Sequence, residues 1–195
     1  MADIMQKIMN GDIEGVRNVI RRYPTIINRP HAFGETPLMW ACIQGIDKRI
    51  LEILIEAGGE VRAKDVGGLT ALHWAVAGCR PEAVELLLSR GSNINGKDNR
   101  GGTPLHSAAN LPREWTDVVK ELMKHSALEV NPRDDNGQTP LHLACYRGHL
   151  HTVDLLLGHN GIDANVVNND GDTPLHWAVR DRKYKVVCAM LKQVS

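Results

Sequence analysis

Four histidines, His73, His106, His142 and His176, each follow a leucine and stand three residues after a threonine. Imidazoles could act as general bases or bind a metal. A second group, His149, His151 and His159, lies close together in the chain. Four cysteines, Cys42, Cys79, Cys145 and Cys188, could add thiol chemistry. The spacing argues against these uses. The first four histidines recur at the interval of a structural unit, too far apart to share a metal whose bonds are about 2 Å long. The second group offers at most a surface metal site. No C-x-x-C, H-E-x-x-H, G-x-S-x-G or G-x-x-x-x-G-K pattern occurs. Nothing assembles a nucleophile, a base and an orienting group. No enzyme activity, catalytic residue, metal or cofactor is therefore expected, and the cysteines read as buried free thiols in a reducing compartment.

The elements that carry these histidines explain them better. Gly137-Gln138-Thr139-Pro140-Leu141-His142, Gly171-Asp172-Thr173-Pro174-Leu175-His176 and Gly101-Gly102-Thr103-Pro104-Leu105-His106 are three versions of one phrase. Gly68-Leu69-Thr70-Ala71-Leu72-His73 and Gly34-Glu35-Thr36-Pro37-Leu38-Met39 are close variants. The threonine falls at 36, 70, 103, 139 and 173, in steps of 34, 33, 36 and 34. Thr is a good helix N-cap and Pro suits the first helical position. Leu38, Ala41 and Cys42 then share one helical face, and the pattern recurs at Leu72, Ala75, Val76 and at Leu141, Ala144, Cys145. Upstream, Asp65-Val66-Gly67-Gly68, Asp98-Asn99-Arg100-Gly101 and Asp134-Asp135-Asn136-Gly137 read as turns. Asn168 replaces the Asp in the last copy and His31 in the first.

A period near 33 with Thr-Pro-Leu-His resembles ankyrin repeats, and the resemblance covers nearly the whole chain. It implies an all-α solenoid of about six stacked helix-turn-helix repeats with β-hairpin-like fingers, its ends capped by degenerate repeats. The repeats read as 2–34, 35–68, 69–102, 103–137, 138–171 and 172–195, forming a single domain over 1–195. The first lacks the phrase, as an end repeat with one neighbour can. Ile4, Ile8 and Met9 would face inward there. The outer helices carry stripes such as Ile50, Leu51, Leu54 and Ile55, or Ala83, Val84, Leu87 and Leu88. The fourth repeat holds extra residues in Asn110-Leu111-Pro112-Arg113-Glu114-Trp115. Arg180, Arg182, Lys183, Lys185 and Lys192 would make the last repeat polar at its end.

Composition bounds the function classes. The chain has 195 residues, a formal net charge of zero and 4% aromatic residues. Zero net charge gives no general pull toward nucleic acid or an anionic membrane. No apolar stretch approaches the roughly 18–20 residues of a membrane span. The N-terminus lacks the basic and apolar regions of a signal peptide, so a cytoplasmic or nuclear location is expected.

The resemblance implies a non-enzymatic module that binds a protein partner, as an adaptor, a stoichiometric inhibitor or an assembly chaperone. The alternatives are a targeting subunit that recruits an enzyme on another chain, or a microbial effector acting on host proteins. A monomer without a small-molecule substrate is expected. The family's motif makes Thr36, Thr70, His73, Thr103, His106, Thr139, His142, Thr173 and His176 structural, with each histidine bonding backbone at its helix start and the adjoining turn. It places partner contacts on the inner helices and finger tips. Trp40, Trp74 and Trp177 stand two residues past a core leucine, a rotation of about 200° that points them away from the buried face, either to anchor a partner or to pack over the neighbouring repeat. Gln44, Asn110, Tyr146, Arg147 and Arg180 are further free positions on the inner helices. Phe33, Val66 and Leu69 would make the early fingers apolar. Asp135 and Asp170 would make the later ones acidic, with Arg100 between them. Trp115, in the insertion, would either anchor a partner or cover its own outer helix. Asn95, Asn131 and Asn165 would bond the following turn, and the family also knows such asparagines as hydroxylation substrates.

Overall fold

In the computed structural model, which describes residues 4–192, the chain divides into two compact units, Met1–Asn93 and Ile94–Ser195. The regular elements among the described residues are all helical.

The first unit holds three helix pairs: α1 (Ile4–Met9) with α2 (Ile13–Arg22), α3 (Pro37–Gln44) with α4 (Lys48–Glu56), and α5 (Ala71–Ala77) with α6 (Pro81–Ser89). A 3-10 turn, Pro24–Asn28, follows α2. Helices α1, α3 and α5 pack as an inner layer, and α2, α4 and α6 as an outer one. Ile8, Leu38, Leu72 and Val76 are buried in the inner layer; Ile50, Leu54, Val84 and Leu87 fill the space beside the outer one. Met9 corrects the expectation from sequence. Ile4 and Ile8 share the buried face, and Met9, a further 100° around the helix, is exposed.

The second unit repeats the plan with α7 (Pro104–Ala109) and α8 (Thr116–Met123), α9 (Pro140–Arg147) and α10 (Leu150–Leu157), and α11 (Pro174–Arg180) and α12 (Tyr184–Lys192). Its inner layer is α7, α9 and α11; its outer layer is α8, α10 and α12. Leu105, Leu141, Cys145, Val119, Leu122 and Leu156 form the core. The last pair is less polar than expected. Val179, Tyr184 and Leu191 are exposed in this pair.

Inner helices of six to eight residues are marginal alone, so their ends must be well capped. In α9, the Thr139 N–H donates to His142 Nδ1 at 3.1 Å, and the Thr139 hydroxyl lies 2.9 Å from the same atom. Thr70–His73 and Thr103–His106 repeat this contact. Where Met39 replaces histidine, the Thr36 N–H meets its Sδ at 3.4 Å, a weaker acceptor, and Thr36 Oγ1 still accepts from Met39 N.

The loops ahead of the inner helices are tight turns, and no strand is formed among the described residues. Asp65 Oδ1 accepts from the N–H groups of Gly67 and Leu69 at 2.8 and 2.9 Å. Asp98, Asp134 and Asn168 do the same in their turns. Gly68, Gly101, Gly137 and Gly171 close these turns at positive φ, which a Cβ would oppose. Adjacent turns join through the backbone: Val66 N–H to Phe33 O in the first unit, and Asp135 N–H to Arg100 O and Asn169 N–H to Asn136 O in the second.

Asparagines tie neighbouring pairs together at the other edge. Asn131 donates to Gly161 O at 2.7 Å and accepts from Asp163 N at 3.0 Å. Asn95 makes the same bridge to Ala127 and Glu129. Asn28, two repeats ahead of Asn95 and legible from that spacing, bridges Gly58 and Glu60.

Candidate functional site

The first unit gathers an aromatic and apolar surface. Trp40 and Trp74 project from α3 and α5 with ring centroids 6.2 Å apart. Both are partly exposed. The turn tips beside them present Phe33 and Val66, 67% and 68% exposed, with Leu69 half-buried. The Val66 N–H donates to Phe33 O at 2.9 Å, so the two apolar tips are held side by side. Gln44 is exposed at the end of α3.

Asp65 links this surface to its scaffold. While Oδ1 holds the turn amides, Oδ2 accepts from Trp74 Nε1 at 2.9 Å. One carboxylate thus fixes both the finger and the indole. At the preceding turn His31 stands in the position of Asp65. Its ring packs edge-on against Trp40 at 6.4 Å, and Trp40 Nε1 is buried without a hydrogen-bond partner. Glu35 supplies the missing turn acceptor there, taking the Phe33 N–H at 2.8 Å. Nothing short of the spatial fold would have singled out Asp65 as the partner of Trp74, although the recurrence of Asp at the start of three turns was visible.

In the second unit the expected residues separate into two groups. Tyr146, Arg147, Trp177 and Arg180 form a connected row on α9 and α11. Tyr146 and Trp177 meet edge to face at 5.8 Å. Arg147 lies over Tyr146 at 5.6 Å and Arg180 over Trp177 at 5.4 Å. Asn110 joins the row, its Oδ1 accepting from Arg147 Nε at 2.8 Å. Trp177 packs over the neighbouring repeat rather than standing open as an anchor. It is 8% exposed, because His142 and Tyr146 of α9 close over it and Asp172 accepts from its Nε1. Arg100, Asp135 and Asp170 are exposed on the turns.

Trp115 belongs to neither group. It is the N-cap residue of α8 and 47% exposed. The insertion around it is anchored by the following helix pair. His149 is buried, with Nε2 2.8 Å from Leu111 O, and Glu114 accepts from the Thr152 N–H at 2.8 Å and pairs with His151 at 3.1 Å. Glu114 therefore caps the first turn of α10 from a distant part of the chain. Burial raises its carboxyl pKa, but the hydrogen bonds from Thr152 and His151 outweigh this and hold it below the ordinary range. These contacts give His149 and His151 structural work.

The repeat histidines are equally committed. His106 Nε2 lies 2.9 Å from Gln138 O and His142 Nε2 3.0 Å from Asp172 O. Burial pushes both rings below their ordinary pKa, against the opposing effect of those carbonyls. Burial also raises the Cys42 thiol, and it pushes the Cys145 thiol up to about 12, so neither favours the reactive thiolate.

The profile of the family described as ankyrin repeats (3 copies) matches residues 4–98, 80–168 and 105–195, together nearly the whole chain. The chain belongs to the ankyrin-repeat family. Ankyrin repeats are generally protein–protein interaction modules, and proteins made of them are typically non-enzymatic. Among curated proteins none matches the chain. No helix among the described residues is long and apolar enough to cross a membrane.

Proposed function

We propose that residues 1–195 act as one binding domain of six ankyrin repeats, a non-enzymatic adaptor, stoichiometric inhibitor or assembly chaperone that engages a protein partner through inner helices and finger tips. The observation that carries this reading is the apolar surface of the first unit. Phe33 and Val66 stand exposed on joined turns beside the Trp40–Trp74 pair. Exposed aromatics on a rigid scaffold are common anchors of protein interfaces, and little conformational freedom would be lost on binding. The four free cysteines support a reducing, cytoplasmic or nuclear setting. The domain works as a monomer and needs no cofactor.

Affinity capture from native lysate, wild type beside Phe33→Asp/Val66→Asp, tests this. Both positions are exposed, so circular dichroism should show an unchanged fold. A direct partner bound by wild type and lost from the variant supports the surface. Equal capture by both removes the surface assignment, and failure to retain any direct partner removes the binding-module reading.

A further inference from the structure

We infer that the row on α9 and α11 of the second unit is a recognition site for an acidic peptide segment, with Arg147 as its carboxylate receptor. This rests on the proposed binding function and names the chemistry of the partner at that surface. Arg147 is exposed, yet it is not loose: Asn110 Oδ1 holds its Nε at 2.8 Å and Tyr146 supports its guanidinium from below at 5.6 Å. With Nε engaged, the terminal nitrogens remain to bind a carboxylate in the planar, two-pronged manner that suits guanidinium. Arg180 is held in the same way over Trp177, but Asp172 Oδ2 already pairs with it at 3.0 Å. Of the two stacked arginines, Arg147 has no ion-pair partner among the described residues. The uncompensated charge of the row is therefore positive, and a carboxylate complements it. Tyr146, 44% exposed, supplies an aromatic face beside the charge for the apolar part of the same segment. An Arg and a Tyr already fixed in place have little side-chain freedom left to lose on binding.

The test is selection of a phage-displayed library of random linear peptides on the immobilised full chain, followed by titration of synthetic copies of the selected peptides. Enrichment of Asp- and Glu-containing sequences is expected. Their affinity should fall about tenfold in Arg147→Ala, recover only in part in Arg147→Lys, and weaken as salt rises. Arg180→Ala should have the smaller effect. Selected sequences that lack acidic residues, or acidic ones that bind Arg147→Ala as tightly as wild type, overturn the inference and leave the binding-module reading standing. A library that yields no binder overturns the inference, while the lysate capture above judges the broader reading separately.

Discussion

His142 Nε2 lies 3.0 Å from the carbonyl oxygen of Asp172, so one imidazole spans the joint between two helix pairs. Its other nitrogen accepts from the Thr139 N–H, which assigns the proton to Nε2 and makes that atom the donor. His106 does the same toward Gln138. Both rings must be neutral to make the full set of bonds.

This sets a pH dependence. The folded pKa of each ring lies below its ordinary value of 6.5, so near and below that pH the unfolded chain binds more protons than the folded one. The contribution of these joints is fully present above about pH 6.5 and is lost as pH falls through the depressed folded values. Urea midpoints should be flat above neutrality and decline toward pH 5. A His106→Gln/His142→Gln variant keeps an acceptor for the N-cap amide but loses the bond to the next turn. It should be less stable at pH 8 and show a shallower acid decline. An equally steep decline in the variant would assign the effect to other groups.

Asp65 serves two N–H groups of its turn and the Trp74 indole at once. Asp65→Ala leaves all three without their acceptor and should cost about 2–3 kcal/mol in chemical denaturation. Asp65→Asn keeps an oxygen for the turn but presents an amide N–H₂ toward the indole, so it should cost about 1 kcal/mol and shift Trp74 fluorescence. No loss in Asp65→Asn would show that the indole bond adds nothing, and equal losses in the two variants would show the same of the turn bonds.

How much of this was legible depended on range. The Thr ahead of α3, α5, α7, α9 and α11, the Asp or Asn of four turns and the buried Leu of the inner helices rest on local chemistry, and the chain displays them at most repeats. Trp177 did not follow from its helical position. Its burial comes from His142 and Tyr146 on the neighbouring helix, while Trp40 and Trp74 at the same repeat position stay partly exposed. The pairing of Arg147 with Asn110 crosses 37 residues, and that of Glu114 with Thr152 crosses 38. Both depend on the irregular fourth repeat, where a regular period no longer predicts which residues meet.

Glu114 turns that irregularity into a stabilising contact. Its carboxylate accepts from Thr152 in the first turn of α10, where negative charge is favoured by the helix dipole. Glu114→Ala should lower stability by about 1–2 kcal/mol, the range of a lost N-cap. Because the folded carboxyl is held below its ordinary range, this contribution is present above its ordinary value of 4.5 and disappears as pH falls through the folded pKa. Hydrogen exchange should report faster opening of α10 in the variant. Unchanged protection there would mean that the insertion does not brace that helix.

The end of α5 carries strain that can be removed. Gly45 and Gly148 leave their inner helices at φ of 65° and 77°, whereas Cys79, at the corresponding place after α5, is held at 56°. An L side chain in this region crowds its own backbone at a cost of about 1–2 kcal/mol. Glycine relieves the crowding but adds freedom to the unfolded chain, which takes back about 0.4–1 kcal/mol. The Cys79 thiol offers little to offset the change, since its one polar contact is a 4.0 Å approach to Ala77 O. Cys79→Gly should therefore gain roughly 0.5–1 kcal/mol and raise Tm by a few degrees. Gly148→Ala should do the reverse through its positive φ, while the Lys183 side chain, whose Cδ lies 2.8 Å from the new Cβ, shifts aside. A Cys79→Gly variant less stable than wild type would show that the cysteine packs better than its backbone angle suggests.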